Sequence, residues 1–420
     1  MIAHPGLRFA DHTVTVPLDH RDPGGETIEV FAREVVATDR ASDDLPWLVF
    51  FQGGPGGSSP RPLRAEGWIG RAVRTHRVLL LDQRGTGRST PLTARTAGER
   101  PAKELAAYLR LFRADSIVAD AEVLRSRIAG GARWDTLGQS YGGFVTMTYL
   151  SQAPEGLRTC YVTGGLPGLT ATADEVYART YPRVAAKNAG YYRAFPGDAA
   201  AVRRIADHLT AQDVRLPDGD RLTAERFRLL GTLFGMSYGY AYLHWLLDEA
   251  WHGDHLSATF RYEVMAQTAF VDKPLYALQE YCYGLPGGGP TGWAADRALA
   301  RHPGFAAAAD PLLFTGEMMY PWMFEQIAAL RPFAAAAGLL AEADDWPVLY
   351  DGARLSANEI PVLAAVYHDD MYVDAGLSLE TAAAVGNVRA WVTNEYEHDG
   401  LRSGGEAVLG HLMDMAAGLR

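Results

Sequence analysis

The sequence predicts an α/β fold in which a mostly parallel, doubly wound sheet carries a large inserted helical cap. Three observations support this. Short apolar runs alternate with helical patterns in the first third of the chain, a long segment of helical character follows, and the strand pattern then returns. We therefore expect the core to be formed by residues 1–169 and 356–420, with the cap at 170–355.

The first strands are predicted from alternation and turn residues. The segment His12–Leu18 alternates and is rich in β-branched residues, and Glu26–Ala37 is predicted as a second strand after a Pro-Gly-Gly turn. Two short apolar runs follow, Trp47–Phe51 and Val78–Leu81, each ending in a glycine-rich loop. Runs without alternation are typical of strands that are buried on both faces of a parallel sheet.

Helix and strand signals continue to alternate after these runs. Apolar spacing predicts a helix over Ser116–Ile128, with Asp115 or Ser116 as the N-cap. A short strand is expected at Trp134–Leu137, and a helix at Tyr141–Leu150 follows it directly. This order is typical of strand–helix units in a doubly wound sheet.

The chain changes character in the predicted cap. Alanine, arginine and aromatic residues replace the β-branched runs, and one flexible loop is expected at Gly284–Gly292. The strand pattern returns at Ile360–Tyr367 and Val388–Thr393. A helix at about Gly405–Leu419 is expected to close the chain.

Composition excludes several classes of protein. The net charge of −11 argues against nucleic-acid binding, which requires clustered cations. The chain contains no apolar run of about 18 residues, so no membrane span is expected, and its first residues do not have the pattern of a secretory signal. Its two cysteines, Cys160 and Cys282, are expected to be buried and reduced, although one bridge is possible. A cytoplasmic enzyme is the simplest expectation.

The segment Gly138-Gln139-Ser140-Tyr141-Gly142 matches the pattern G-x-S-x-G between a predicted strand and a predicted helix. In α/β-hydrolases this serine lies on a sharp, strained turn, and the flanking glycines let the turn approach its neighbours. We therefore expect an α/β-hydrolase fold with Ser140 as the nucleophile. A second copy, with Ser237 at its centre, follows a helical pattern inside the predicted cap, where packing explains it better.

Glycine-rich loops follow two of the predicted strands. The loop QGGPGG after Trp47–Phe51 is where such hydrolases place a second oxyanion donor, so the backbone N–H groups of Gly54 and Tyr141 are the expected oxyanion hole. An ordinary glycine-rich turn is the alternative. In the loop DQRGTGRS, Asp82 or Arg84 is expected to hold neighbouring loops together.

A serine nucleophile needs a histidine base and an acid that orients it, in the chain order Ser, acid, His. Of the histidines after the cap, His398 directly follows a predicted strand, whereas His411 falls within a helical pattern. The acid is expected after the preceding strand, where Asp369 and Asp370 both qualify on spacing. His368 is then expected to be a loop or packing residue.

A metal site is the competing interpretation of the histidines. His244, His252 and His255 lie close together in the predicted cap, but their spacing fits no common zinc pattern. We expect neither a metal nor an organic cofactor.

Taken together, the motifs GGPGGSS, DQRGTGRS, GQSYGGF, YHDDMYVD, NEYEHDGLRSGG and FTGEMMYPWMF resemble those of the proline iminopeptidases, in their larger form with an extended cap. The resemblance implies removal of an N-terminal residue, preferentially proline, from peptides. It implies attack by Ser140, proton transfer by His398, and Asp370 rather than Asp369 as the acid. One departure is Gln52, where many relatives have histidine, which does not affect a backbone donor.

An exopeptidase must also bind a free amine, and the resemblance implies a glutamate in the cap for this role. Glu317 is the first candidate and Glu280 the second, since a buried carboxylate can pair with an ammonium group. Any single glutamate can instead be structural. The sequence does not indicate which of the cap aromatics line a pocket.

The expected substrates are small peptides with a free N-terminus, and the oligomeric state is not indicated. An esterase or amidase, or an aminopeptidase of other specificity, is the alternative on the same fold, and an esterase has no use for Glu317. A catalytically dead hydrolase acting as a binding module is disfavoured because all three triad residues are present.

Overall fold

The structure is a computed structural model that describes residues 2–420; residue 1, the first of the predicted core, lies outside the described residues. Its centre is a nine-stranded sheet with the strand order β1-β2-β3-β5-β4-β6-β7-β10-β11. Strands β1, β2, β3 and β5 pair in antiparallel fashion, and all pairs from β5 to β11 are parallel. The prediction of a mostly parallel sheet is confirmed.

Nine strands form this sheet, and β8 and β9 form a separate small hairpin. The strands are β1 Ile2–His4, β2 Leu7–Pro17, β3 Thr27–Ala37, β4 Trp47–Phe51, β5 Arg77–Leu81, β6 Trp134–Gln139, β7 Leu157–Thr163, β8 Trp251–His252, β9 His255–Leu256, β10 Val362–Tyr367 and β11 Val388–Thr393.

Helices cover both faces of the sheet. The helices that accompany the first seven strands are α1 Gly67–Ala72, α2 Ala94–Gly98, α3 Ala102–Leu109, α4 Ala114–Ile128 and α5 Tyr141–Gln152. Those between β7 and β10, which we call the helical insertion, are α6 Ala173–Ala194, α7 Asp198–Ala211, α8 Ala224–Arg228, α9 Gly239–Asp248, α10 Ala258–Thr268, α11 Pro274–Ala277, α12 Ala294–Leu299, α13 Met323–Gln326, α14 Ala334–Ala341 and α15 Gly352–Ser356. The last three are α16 Ala375–Ala384, α17 Gly400–Ser403 and α18 Ala407–Ala416.

The short apolar strands are buried on both faces, as their composition predicts. Along β5, Val78 and Leu80 pack in one hydrophobic cluster while Leu79 and Leu81 pack in the other. This follows from the twofold periodicity of a strand. The first cluster includes residues of α1 and α18, and the second includes residues of α4, α5 and the helical insertion.

The structure differs from the sequence prediction at several boundaries. Strand β2 begins at Leu7, five residues before the predicted start, because Leu7 to Pro17 pair continuously with β3. Helix α4 begins at Ala114 with Arg113 as its N-cap, so the predicted N-cap residues lie inside it. Arg113 is fully buried and donates to the Gly284 carbonyl, a tertiary contact that no local pattern reveals.

Buried polar groups tie the first loops to the sheet. The Arg84 guanidinium pairs with Asp120 at 2.6 Å and donates to the Leu18 carbonyl. Asp82 accepts from the backbone N–H of Ser59 and from that of Arg88. These contacts agree with the structural role expected for this loop.

Both cysteines, Cys160 and Cys282, are free and buried. Within residues 2–420, none of the helices combines the length and the hydropathy needed to cross a bilayer.

Candidate active site

Ser140 lies at the turn between β6 and α5, at the carboxyl edge of the parallel sheet. Its backbone has φ 54° and ψ −124°, a left-handed region that side-chain-bearing residues rarely occupy. Its N–H donates to the Thr163 carbonyl at 3.0 Å, and its carbonyl accepts from Gly143 N–H at 2.7 Å. The sheet and the helix together therefore hold this residue in a strained conformation, which is the geometry of a nucleophile elbow.

The glycines around Ser140 are required by close approach of the backbone. A Cβ on Gly142 would lie 1.9 Å from the Phe51 carbonyl oxygen of β4, and one on Gly138 would lie 2.4 Å from the carbonyl oxygen of Gly142. Neither position has room for a methyl group. The turn can therefore lie against β4. The loop that follows β4 contains Gly53 and Gly54, which consequently lie close to Ser140.

His398 and Asp370 form a buried pair on the loops after β11 and β10. The Nδ1–H of His398 donates to Asp370 Oδ2 at 2.6 Å. The other oxygen, Oδ1, accepts from the backbone N–H groups of Tyr372 at 2.8 Å and Val373 at 3.1 Å. The carboxylate is therefore fixed in position, and the bond leaves Nε2 of His398 as its proton-accepting nitrogen.

The electrostatic surroundings favour a basic imidazole. Burial opposes the charged form of His398, but the charge of Asp370 and its hydrogen bond, together with the charge of Glu317, outweigh this and raise the pKa of His398. A raised pKa makes the imidazole a stronger proton acceptor.

Ser140 and His398 line one cavity of about 270 Å³ between the sheet edge and the helical insertion. No hydrogen bond joins their side chains among the described residues, a bond that in many hydrolases tightens only when substrate binds. The cavity thus brings together the predicted nucleophile and the predicted base.

The two expected oxyanion donors flank Ser140. Gly54, at φ 131°, lines the cavity, and Tyr141 is the first residue of α5. Both also line a small neighbouring cavity with Ser140. Neither N–H has a hydrogen-bond partner within residues 2–420, so both are available to a developing oxyanion.

Glu317 lines the same cavity and is partly buried. Its Oε1 accepts from the hydroxyl of Tyr276 at 2.7 Å. Burial raises the pKa of Glu317 to about 7, and the nearby His398 and the Tyr276 hydrogen bond limit the rise. No cation pairs with this carboxylate among the described residues, so it is available to a positively charged ligand.

Glu280, the second candidate, is not among the residues that line this cavity. Its two carboxylate oxygens accept from the backbone N–H groups of Ala294 at 3.0 Å and Ala295 at 2.9 Å. These are the first residues of α12, where a carboxylate stabilises the helix end. The structure thus places Glu280 at a helix terminus, with burial raising its pKa to about 7.

The remaining candidates lie elsewhere. Asp369 pairs with His368 on the surface, and His411 stacks on Trp391. Ser237 follows a 3₁₀ helix rather than a strand, and its hydroxyl donates to Asp399.

The three histidines considered for a metal site do not meet at one point: His252 and His255 face each other in the β8–β9 hairpin, apart from His244. His244 hydrogen-bonds to Asp198, whereas His252 and His255 are exposed. Within residues 2–420, no group of three or more His, Cys, Asp or Glu side chains is placed to hold a metal ion.

The sequence did not indicate several residues of the cavity wall, because they come from distant segments of the insertion and from the loop after β10. The aromatic residues that line the cavity are Tyr238, Phe270, Tyr276 and Tyr372, and Tyr372 packs edge-on against His398 with ring centroids 4.7 Å apart. We call one further set the methionine wall: Met236, Met318, Met319 and Met323. Two motifs of the sequence analysis contain some of these residues: YHDDMYVD includes Tyr372, and FTGEMMYPWMF includes Met318, Met319 and Met323.

Comparisons with known proteins identify the family to which this chain is similar. A family model described as alpha/beta hydrolase fold matches residues 46–204. The proline iminopeptidase of Aeromonas sobria is 46% identical over 413 residues, covering 97% of this chain and 96% of the relative. The proline iminopeptidase aneH of Aspergillus aculeatus is 33% identical, covering 96% of this chain and 93% of the relative.

Among solved structures, a bromoperoxidase from Bacillus anthracis is similar, with a TM-score of 0.41 and 14% identity, covering 97% of this chain and 99% of that chain. The two full-length relatives are far more similar in sequence, and their similarity includes the helical insertion as well as the sheet. The chain therefore belongs to the proline iminopeptidase family and has an α/β-hydrolase fold.

Proposed function

We propose that this protein is a serine aminopeptidase that removes one N-terminal residue, preferentially proline, from peptides. The observation that carries the proposal is the unpaired carboxylate of Glu317 in the same cavity as Ser140 and His398. A buried carboxylate is costly without a partner, and the ammonium group of a peptide N-terminus is a fitting one. The names of the two full-length relatives support the preference for proline.

The positions of the side chains support the following course of the proposed reaction. Ser140 attacks the carbonyl of the first residue while His398 takes its proton, and the N–H groups of Gly54 and Tyr141 stabilise the oxyanion. His398 then gives the proton to the leaving amine, and water hydrolyses the acyl-enzyme in the same way. Asp370 keeps the imidazole in the required tautomer and stabilises its charged form.

The size of the cavity supports exopeptidase rather than endopeptidase action. At about 270 Å³ it is slightly smaller than the range usual for drug-sized ligands. Pairing of the amine with Glu317 would fix where the peptide begins. An esterase, the alternative on this fold, would leave the carboxylate of Glu317 unpaired with substrate bound.

A comparison of free and blocked substrates tests the proposal. We expect the purified protein to hydrolyse a proline arylamide at least about 10-fold faster than its N-acetylated form, since a hydrogen bond to a charged group contributes roughly 1.5–3 kcal/mol and acetylation removes the ammonium group. Glu317→Gln is expected to remove most of this difference, and Ser140→Ala to abolish both activities. Equal hydrolysis of both compounds by the wild-type protein would contradict an aminopeptidase.

A further inference from the structure

The second G-x-S-x-G segment, Gly235–Gly239, takes no part in the proposed reaction, yet it contacts the loop that carries His398. The backbone N–H of His398 donates to the Gly235 carbonyl at 3.0 Å. The Ser237 hydroxyl donates to Asp399 Oδ2 at 2.8 Å, and the Ser237 N–H to Asp399 Oδ1 at 3.1 Å. The helical insertion thus binds both His398 and the residue next to it.

Asp399 is oriented toward the insertion rather than toward its own helix. It is the N-cap of α17, where an aspartate usually accepts from the N–H groups of the first turn. Its side chain makes no such bond, although it is only 4% exposed. Its main partner is Ser237, with a longer contact from the Ser403 hydroxyl at 3.4 Å. Ser237 therefore supplies the hydrogen bonds that a buried carboxylate requires.

Gly235 and the nearby Thr232 also support the ring of His398 through Tyr372. Tyr372 packs edge-on against the imidazole, and its hydroxyl donates to the Thr232 carbonyl. A Cβ on Gly235 would lie 2.4 Å from Cζ of Tyr372, so only glycine fits there. Packing thus explains a glycine in this second motif, as it does in the first.

We propose that Ser237 is a positioning residue. It acts through Asp399 to hold the imidazole of His398 at the position from which it can accept the proton of Ser140. The inference rests on the proposed function. Asp370 fixes one ring nitrogen of His398, but it does not fix the backbone from which the ring projects; the contacts with Gly235 and Ser237 do this. A displacement of the base by a fraction of an ångström lowers the rate without affecting substrate affinity.

Two substitutions at residue 237 test this. Ser237→Ala removes the hydroxyl, and Ser237→Thr retains it. For Ser237→Ala we expect kcat on a proline arylamide to fall about 10-fold or more, with KM changed by less than about twofold. Phosphonylation of Ser140 by a small organophosphate should slow by a similar factor, because that reaction needs the base but not the amine site. Ser237→Thr should restore both rates.

Ser257 provides a matched control in the same insertion. Its hydroxyl accepts from the Phe260 N–H at 3.0 Å and caps α10. Ser257→Ala should lower thermal stability, as cap removal does, with kcat unchanged. A fall in kcat in Ser237→Ala but not in Ser257→Ala separates positioning of His398 from general loosening of the insertion.

Three results would overturn the inference: wild-type kcat in folded Ser237→Ala, an equal fall in Ser257→Ala, or a rise in KM with an unchanged phosphonylation rate. A different result would contradict the proposed function. In that case the wild-type protein reacts with the organophosphate but does not hydrolyse the arylamide, and the phosphonylation rates of the variants still decide the role of Ser237.

Discussion

At the scale of single residues, the pairing of His398 with Asp370 determines how the activity depends on pH. His398 accepts a proton only when neutral, and Asp370 raises its pKa. The activity should therefore be lost as the pH falls through a value above the usual 6.5 for histidine.

Asp370→Asn should lower kcat/KM by about 10³–10⁴-fold, since an asparagine favours the wrong tautomer, as in serine proteases. It should also move the acidic limb of the pH–rate profile to lower pH, because the negative charge is gone. A profile of kcat/KM from pH 5 to 9 checks both. The control is Asp369→Asn, at the exposed neighbouring residue, which should change neither kcat/KM nor the position of the acidic limb. An equal loss of activity in this variant would contradict the assignment of Asp370 as the acid.

Burial of the Glu317 carboxyl makes the stability of the protein depend on pH. Its pKa is raised from 4.5 to about 7 in the folded protein, so between these values the folded state holds a proton that the unfolded state has released. The free energy of unfolding therefore decreases as the pH rises through this window. Stability is therefore highest with respect to this group below about pH 4.5, and the loss is complete above about pH 7.

Glu317→Gln should consequently raise the midpoint of thermal unfolding at pH 8 more than at pH 5, while activity on free N-terminal proline falls. Thermal unfolding of both proteins at the two pH values is the measurement. A variant equally stabilised or destabilised at both pH values would show that the carboxylate is not desolvated in the folded state. A gain in stability on loss of a binding residue is common at functional sites.

Local chemistry marks some of the candidate site residues in the sequence. Ser140 lies in a motif with a defined backbone geometry, and His398 lies on the loop after a strand that the apolar pattern identifies. The choice of Asp370 over Asp369, and the choice of Glu317, came from family resemblance. The tertiary contacts of Tyr276, Tyr372 and Ser237 were not predictable, because their partners are far away in the sequence.

At the scale of elements, the junction of β6 and α5 depends on contact with β4. A Cβ on Gly142 would overlap the Phe51 carbonyl oxygen, at 1.9 Å. Because this neighbour is backbone in a central strand, it cannot move aside as a flexible side chain would.

Gly142→Ala should therefore destabilise the protein by roughly 3 kcal/mol or more, the upper range for overpacking, and displace Ser140. Gly338→Ala is the matched control, since this glycine lies inside α14 with nothing within 4 Å of an added Cβ. It should stabilise the protein by about 0.5–1 kcal/mol. Denaturant unfolding of both variants checks the difference; a stable, active Gly142→Ala would contradict the geometry of the elbow.

The boundaries of elements were less predictable than their existence. The apolar patterns located β4, β5, β10 and β11, because strands buried on both faces leave a clear signal. Helix α4 began two residues early, since Arg113 is held by contacts with the insertion. The hairpin β8–β9 is only two residues per strand, too short for any periodicity.

At the scale of the whole molecule, the helical insertion covers the carboxyl edge of the sheet, so the cavity exists only where the two meet. The predicted division at 169/170 and 355/356 stays a prediction. The residues that line the cavity come from seven separate stretches of sequence, and no local pattern specifies how these stretches converge.

The two thiols report on the integrity of the whole fold. Cys160 and Cys282 are free and buried, and burial raises the pKa of each to about 12. We expect no reaction with a thiol-specific disulfide reagent in the native protein and two reactive thiols per chain in denaturant. A reductant should leave the unfolding midpoint unchanged. A thiol that reacts in the native state would show that its part of the core opens.

The methionine wall has a consequence for how substrate preference can change. The part of the cavity wall that comes from the loop after β4 includes Gly53, Gly54 and Gly57, where an added Cβ would lie less than 3.0 Å from neighbouring atoms, whereas the insertion contributes four unbranched, polarizable side chains that can repack around differently shaped ligands. Substitutions that alter substrate selectivity should therefore be tolerated at the methionines and should disrupt the site at the glycines. Diversification within the family would then be confined to one half of the binding site, with the chemistry inherited intact.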